Sequence, residues 1–136
     1  MDINTKLRIL FVEDVPADAE LAARVLHKEG WSFTSIRVES QEEFLKALAD
    51  YRPELIISDY SLPQFDGMRA LQLSLDSDPN LPFIILTGST NEEIAVDCIK
   101  AGAWDYVLKG RMTRLPFAVK AALERKKIWT IQAEAE

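Results

Sequence analysis

Five times along this 136-residue chain a short, nearly all-apolar run gives way to an amphipathic stretch. The runs are Leu7 to Val12, Phe33 to Val38, Leu55 to Ser58, Pro82 to Leu86 and Ala103 to Leu108. A strand alternates its side chains between two faces, so a run apolar at successive positions must be covered on both. The intervening stretches carry helical signals. Leu21 with Val25 and Ala22 with Leu26 stand four apart between Pro16 and Glu29, with Pro16, Asp18 and Glu20 suited to the first turn and Gly30 to the stop. Ser40 to Asp50 reads as a helix capped by Ser40, with Glu43 closing a capping box. Helices are also expected over Gly67 to Leu75, Asn91 to Ala101 (stopped by Gly102) and Leu115 to about Lys127, with Pro116 in the first turn of the last. Strands alternating with helices make right-handed crossovers onto a parallel sheet. The fold class is therefore α/β, a doubly wound five-stranded parallel sheet with helices on both faces.

Composition fits one globular domain of 15.4 kDa, with 48% hydrophobic and 28% charged residues, and excludes a disordered or low-complexity chain. The net charge, 16 − 22 = −6, argues against nucleic acid as a bulk electrostatic partner. The lone Cys98 has no partner for an internal disulfide, which suits a reducing, cytoplasmic setting. No apolar run approaches the ~20 residues of a membrane span. Leu7 to Val12, followed at once by Glu13 and Asp14, is too short for a signal peptide.

Parallel sheets bind ligands beyond the carboxyl ends of their strands. Four of the five ends are polar there: Glu13-Asp14, Asp59, Thr87-Gly88-Ser89-Thr90 and Lys109. With the first strand central and the second an edge ending in Glu39-Ser40, those four ends lie side by side. Three carboxylates so placed repel one another unless a cation sits among them. An oxygen-only set without His or Cys favours Mg²⁺. Lys109 and the Thr87 hydroxyl suit the oxygens of a phosphoryl group, and a carboxylate such as Asp59 can serve as nucleophile to form an aspartyl phosphate. Other chemistries lack their parts. There is no Walker or dinucleotide glycine loop, and His27, the sole histidine, sits within the first helix.

Taken in order, these segments resemble the receiver domain of two-component response regulators over roughly residues 6 to 126. Ile9-Leu10-Phe11-Val12-Glu13-Asp14 is similar to its first strand and acidic pair. Leu55 to Pro63 with Phe65-Asp66-Gly67 is similar to its phosphoacceptor segment. Phe83 to Gly88 and Ala101 to Lys109 are similar to its fourth and fifth strands. The resemblance implies a (βα)5, flavodoxin-like fold with strand order 2-1-3-4-5. It implies a phosphoacceptor domain, not a turnover enzyme, which takes a phosphoryl group from a phosphohistidine onto Asp59. It further implies direct Mg²⁺ ligation by Asp14, Asp59 and the Ser61 carbonyl, with Glu13 acting through water. Thr87 and Lys109 would bind phosphoryl oxygens, and Tyr106 would be an aromatic switch partnered with Thr87. The implied partners are a histidine kinase or phosphotransfer protein and a downstream protein or fused kinase module, with neither nucleic acid nor membrane.

Two departures from the family pattern stand out. Lys109 is followed by Gly110 where receivers usually have Pro. A cis bond before Gly costs about 2.5–4 kcal/mol, so a trans link or rearranged loop is expected, with a shifted start to the last helix. Ser61 and Ser89 are small and leave the site open to water. The receiver is expected over residues 1–127, with 128–136 a helical extension or the start of a linker. Nine residues are too few for a DNA-binding module. Arg125-Lys126-Lys127 reads as a solvated helix face. Leu123, Ile128, Ile131 and Ala135 recur at roughly heptad spacing, which leaves room for a homodimer through the last helices. Likeness to receivers joined to PAS and histidine-kinase modules leaves two readings open. One is a single-domain regulator. The other is the receiver of a longer sensor kinase, with a coiled-coil linker from near Trp129. Two functional alternatives are a Mg²⁺-dependent phosphatase or phosphotransferase, for which the chain shows neither a near general acid nor a cap, and a receiver-like module that is never phosphorylated.

Overall fold

The computed structural model describes residues 6–88 and 91–135, with side chains through Ile131. Five parallel strands, β1 (Leu7–Val12), β2 (Phe33–Val38), β3 (Leu55–Ser58), β4 (Phe83–Thr87) and β5 (Asp105–Leu108), form one sheet in the order β2-β1-β3-β4-β5. The helices are α1 (Pro16–Lys28), α2 (Gln41–Asp50), α3 (Gly67–Ser77), α4 (Glu92–Lys100) and α5 (Leu115–Ala135). Strand order and helix number agree with the expectation from sequence.

Strand alternation divides the core in two. Ile9, Phe11, Leu55, Ile57, Ile84, Leu86 and Val107 face α1 and α5, where they meet Ala22, Leu26, Leu115, Ala118 and Val119. Their neighbours Leu10, Val12, Ile56, Phe83 and Ile85 face α2, α3 and α4, against Phe44, Ala47, Ala70, Leu71 and Cys98. Truncating a fully buried member such as Ile57 to Ala costs about 2–5 kcal/mol, because the close-packed surroundings relax only partly.

Local expectations meet several corrections. The buried stripe of α1 is Ala19, Ala22 and Leu26, while Leu21 is 44% exposed. Ser40 caps α2 by accepting from the Glu43 N–H at 3.2 Å, but the Glu43 carboxylate reaches back to the Glu39 N–H at 3.1 Å, one residue beyond the cap. β5 begins at Asp105, not Ala103, because Gly102 (φ 118°) turns the chain out of α4 and the Trp104 N–H is first spent on the Phe83 carbonyl at 2.8 Å. The Lys109–Gly110 bond is trans, and Lys109–Arg114 forms a 3₁₀ segment, kinked at Arg111 (φ −128°, ψ 50°), that leads into α5.

α5 continues unbroken past Lys127 to Ala135. Arg125 is exposed, as a solvated helix face requires, and its guanidinium also lies 4.3 Å from the centre of the Trp104 ring and 4.9 Å from that of Trp129, joining α5 to the residue before β5. The anticipated heptad stripe divides: Leu123 packs toward the core, whereas Ile128 and Ile131 are 55% and 54% exposed on the face that carries Phe117. The Ala135 side chain, Ser89 and Thr90 lie outside the described positions.

Candidate functional site

β1 and β3 are adjacent, and their ladder runs one residue beyond the strands: the Asp59 N–H donates to the Val12 carbonyl at 2.8 Å. On the other side of β1, the Glu13 N–H donates to the Val38 carbonyl at 3.0 Å. These bonds fix the backbone under Glu13 and Asp59 and bring their carboxylates beside that of Asp14. One oxygen from each of Glu13, Asp14 and Asp59 lies within 4.8 Å of the others. Glu13 and Asp59 are buried and Asp14 is half-buried. A small cleft of about 190 Å³, lined by Asp14, Glu39, Pro63 and Gln64, opens beside Asp14.

Lys109, just past the end of β5, reaches into this cluster. Its Nζ lies 2.9 Å from Glu13 Oε2, 3.0 Å from Asp59 Oδ2 and 2.7 Å from Asp18 Oδ2. Burial works against the lysine's charge, but the hydrogen bonds to Asp18, Glu13 and Asp59 outweigh it and hold the proton far above the ordinary lysine range. Burial pushes the Glu13 carboxyl up from its usual 4.5. The Lys109 hydrogen bond and the Val15 N–H offset only part of that cost, since one ammonium is divided among three carboxylates and Asp59 adds repulsion.

Thr87 and Ser61 sit at the same edge of the sheet, and Tyr106 lies within β5, two residues before its end. Thr87, buried at the end of β4, pairs in register with Leu108, the residue before Lys109. The Ser61 N–H donates to Asp59 Oδ1 at 3.3 Å, and Ser61 itself is exposed. Tyr106 is half-buried on β5 against the α2–α4 side of the core. It borders a cavity of about 380 Å³ together with Asn91, Glu92, Arg111 and Arg114. Asp66 caps α3 by accepting from the Arg69 N–H at 2.8 Å.

Two functional contacts escaped the sequence reading. In the sequence Asp18 is only an acid suited to a helix N-terminus, yet it makes the shortest of the Lys109 ion pairs. The available signal was that Pro16 starts α1 two residues after Asp14, so the first turn of the helix overhangs the carboxyl edge of β1. Arg114 ties the 3₁₀ segment to β5 by pairing with Asp105 at 2.8 Å and donating to the Tyr106 carbonyl. No sequence pattern announces that bond.

The donor set suits a hard divalent cation: three carboxylates, no nitrogen or sulfur ligand, and one ammonium to balance them.

Comparison with known proteins agrees with this architecture. A family model described as the response regulator receiver domain matches residues 9–120. The DNA-binding response regulator MtrA of Mycolicibacterium smegmatis is 35% identical over 119 residues, covering 87% of this chain and 51% of its own length. The nitrogen assimilation regulatory protein NtrX of Azorhizobium caulinodans is 34% identical over 119 residues, covering 85% of this chain and 26% of its own length. The chain thus spans about half the length, or less, of these curated relatives. The crystal structure of the receiver domain of NtrX from Brucella abortus superposes with a TM-score of 0.77 at 31% identity, covering 85% of this chain and 98% of that one. With its strand order, its acidic edge and a family model that spans most of its length, this chain belongs to the response regulator receiver domains, the phosphoacceptor signalling modules of two-component systems.

Proposed function

We propose that Asp59 is the phosphoacceptor of this domain, that Glu13, Asp14 and Asp59 hold a Mg²⁺ ion, and that Thr87 and Lys109 receive the phosphoryl oxygens. The observation that carries this reading is the convergence of three carboxylates and one ammonium at the carboxyl edge of β1, β3 and β5. In the reaction an Asp59 carboxylate oxygen attacks the phosphorus of a phosphohistidine. The O–P bond forms as the P–N bond breaks, and the electron pair returns to the imidazole, which leaves neutral when its second nitrogen carries a proton. Lys109 holds Asp59 by one oxygen, leaving the other directed by the Ser61 N–H. A bound cation offsets charge on the carboxylates and on the incoming phosphoryl oxygens. Asp14 and Asp59 would be direct ligands, with the Ser61 carbonyl, and Glu13 would act through water.

The acyl phosphate carries about −2 charge at this edge, where the free carboxylate carried −1. Thr87 ends β4 and Lys109 directly follows β5, which carries Tyr106 beside α4, so their movement toward that charge reaches a surface that a protein partner can read. The partners are a histidine kinase or phosphotransfer protein upstream and a protein or fused kinase module downstream. Residues 128–136 serve as a helical extension or linker, open to pairing with a second copy. Among the described residues no helix is long and apolar enough to cross a membrane. The lone cysteine and the receiver family favour a cytoplasmic setting.

The test is intact mass after incubation with acetyl phosphate and Mg²⁺, beside Asp59→Asn and an EDTA control. One acid-labile phosphate is expected on the wild type with Mg²⁺ alone. Equal labelling of Asp59→Asn would move the acceptor elsewhere. No labelling of the folded wild type, from acetyl phosphate or from a phosphorylated histidine kinase, would favour a module that is never phosphorylated.

A further inference from the structure

A lysine ammonium has three N–H donors. In this structure Asp18 Oδ2 at 2.7 Å and Asp59 Oδ2 at 3.0 Å accept two of them, and Glu13 Oε2 is ion-paired at 2.9 Å. Three carboxylates thus crowd Lys109 Nζ, and a phosphoryl oxygen arriving on Asp59 has room beside it when one of them withdraws.

The three do not withdraw equally. Glu13 has a side chain only 4% exposed, and its second oxygen accepts from the Val15 N–H at 3.1 Å, so leaving Lys109 would strand a buried charge. Asp59 carries the incoming group. Asp18 is different: its side chain is 36% exposed, and it stands in the first turn of α1, where the positive end of the helix favours a carboxylate even without a lysine. A change of rotamer can move it into water.

We propose that Asp18 is the displaceable carboxylate of this site. It occupies on Lys109 the position that a phosphoryl oxygen takes on phosphorylation, and so sets the affinity of the site for phosphoryl groups. The proposal rests on the assignment of Asp59 and Lys109 above and adds to it a competitor supplied by the chain itself. Glu13, Asp18 and Asp59 already share one ammonium, with Asp14 beside them, and phosphorylation replaces the single charge of the Asp59 carboxylate by the roughly two charges of an acyl phosphate. Release of Asp18 lowers the crowding of anions as the new one arrives. Asp18 touches neither the acceptor oxygen nor the donor; it acts through Lys109 and is a positioning residue.

The experiment compares the full chain with Asp18→Asn, Asp18→Ser and Asp18→Glu, each shown folded by circular dichroism. Two quantities are read with Mg²⁺ present: the labelling rate from acetyl phosphate by intact mass, and the dissociation constant of beryllofluoride by fluorine NMR. Removing the charged competitor should raise beryllofluoride affinity and labelling rate a few-fold, up to about tenfold, in both Asp18→Asn and Asp18→Ser. Asp18→Glu, which keeps the charge, should stay near wild type. A general loosening of α1 would weaken beryllofluoride binding. Labelling of both neutral variants at the wild-type rate or slower, with beryllofluoride affinity unchanged or reduced, would overturn the role given to Asp18 while leaving Asp59 as acceptor. Absence of both labelling and beryllofluoride binding in the wild type as well would overturn the assignment of Asp59, and this proposal with it.

Discussion

Gly67 packs against the carbonyl end of Asp59 with no room for a side chain. A Cβ at position 67 would lie 2.9 Å from the Tyr60 Cα and closer still to the Asp59 carbonyl oxygen. The Gly67 N–H meanwhile donates to the Tyr60 carbonyl at 2.9 Å. The start of α3 is thus seated on the backbone that carries the acceptor carboxylate. Gly67→Ala must push α3 or the loop aside, and overpacking of this kind costs about 1–3 kcal/mol. A lower denaturation midpoint with an unchanged m-value is expected, together with slower labelling from acetyl phosphate. Wild-type values in both would show that the contact is easily relieved.

Lys109 is the only cation within ion-pair distance of Glu13 and Asp59 among the described residues. Lys109→Met leaves Glu13, Asp18 and Asp59 with no counter-charge. Without metal, a loss of about 1–3 kcal/mol is expected, below the full cost of breaking a buried pair because Asp18 and the lysine itself reach solvent. Mg²⁺ should restore part of it by binding the folded state.

The pH dependence of that same loss follows from the sign of each shift. Lys109 has its folded pKa raised above 10.5, so its stabilisation is fully present below 10.5 and declines as pH rises through the folded value. Glu13 has its folded pKa raised above 4.5, so the fold binds more protons than the unfolded chain in that window, and stability falls as pH rises through it. The gap between wild type and Lys109→Met should therefore be widest near neutrality and narrower at about pH 5 and pH 11. Denaturant titrations at the three values measure it, and a gap independent of pH would reject the ion-pair origin.

Arg114 holds the 3₁₀ segment onto β5 through Asp105 and the Tyr106 carbonyl. Its side chain is 47% exposed, so Arg114→Ala should cost no more than about 1 kcal/mol in global stability. The local effect should be larger. Amide exchange across residues 109–114 is expected to speed up while the protected amides of β1 and β3 stay unchanged, and exchange like that of wild type would show that the segment does not depend on this bond.

Much of this molecule was legible in its sequence. The all-apolar stretches at Ile9 to Val12, Leu55 to Ile57 and Phe83 to Leu86 could only be strands covered on both faces, and the parallel sheet followed. Once strands and helices alternate, polar residues directly after strands collect along one edge, which is why Glu13, Asp14, Asp59, Thr87 and Lys109 could be grouped before any distance was known. Periodicity failed where exposure is decided by neighbours. Leu21 has the spacing of a core residue yet faces solvent, and Leu123 does not share the outer face of Ile128 and Ile131.

Local sequence determines backbone periodicity, helix ends and turns, because those depend on groups a few residues apart. The pairing of Lys109 with Asp18, 91 residues away, could arise only from the tertiary structure. It requires β5 to lie three positions from β1, with β3 and β4 between them, the first turn of α1 to overhang the edge of the sheet, and a 3₁₀ turn to begin at Lys109. Packing of the whole chain decides each of these, and an ion pair forms only when all of them bring two charges within about 4 Å.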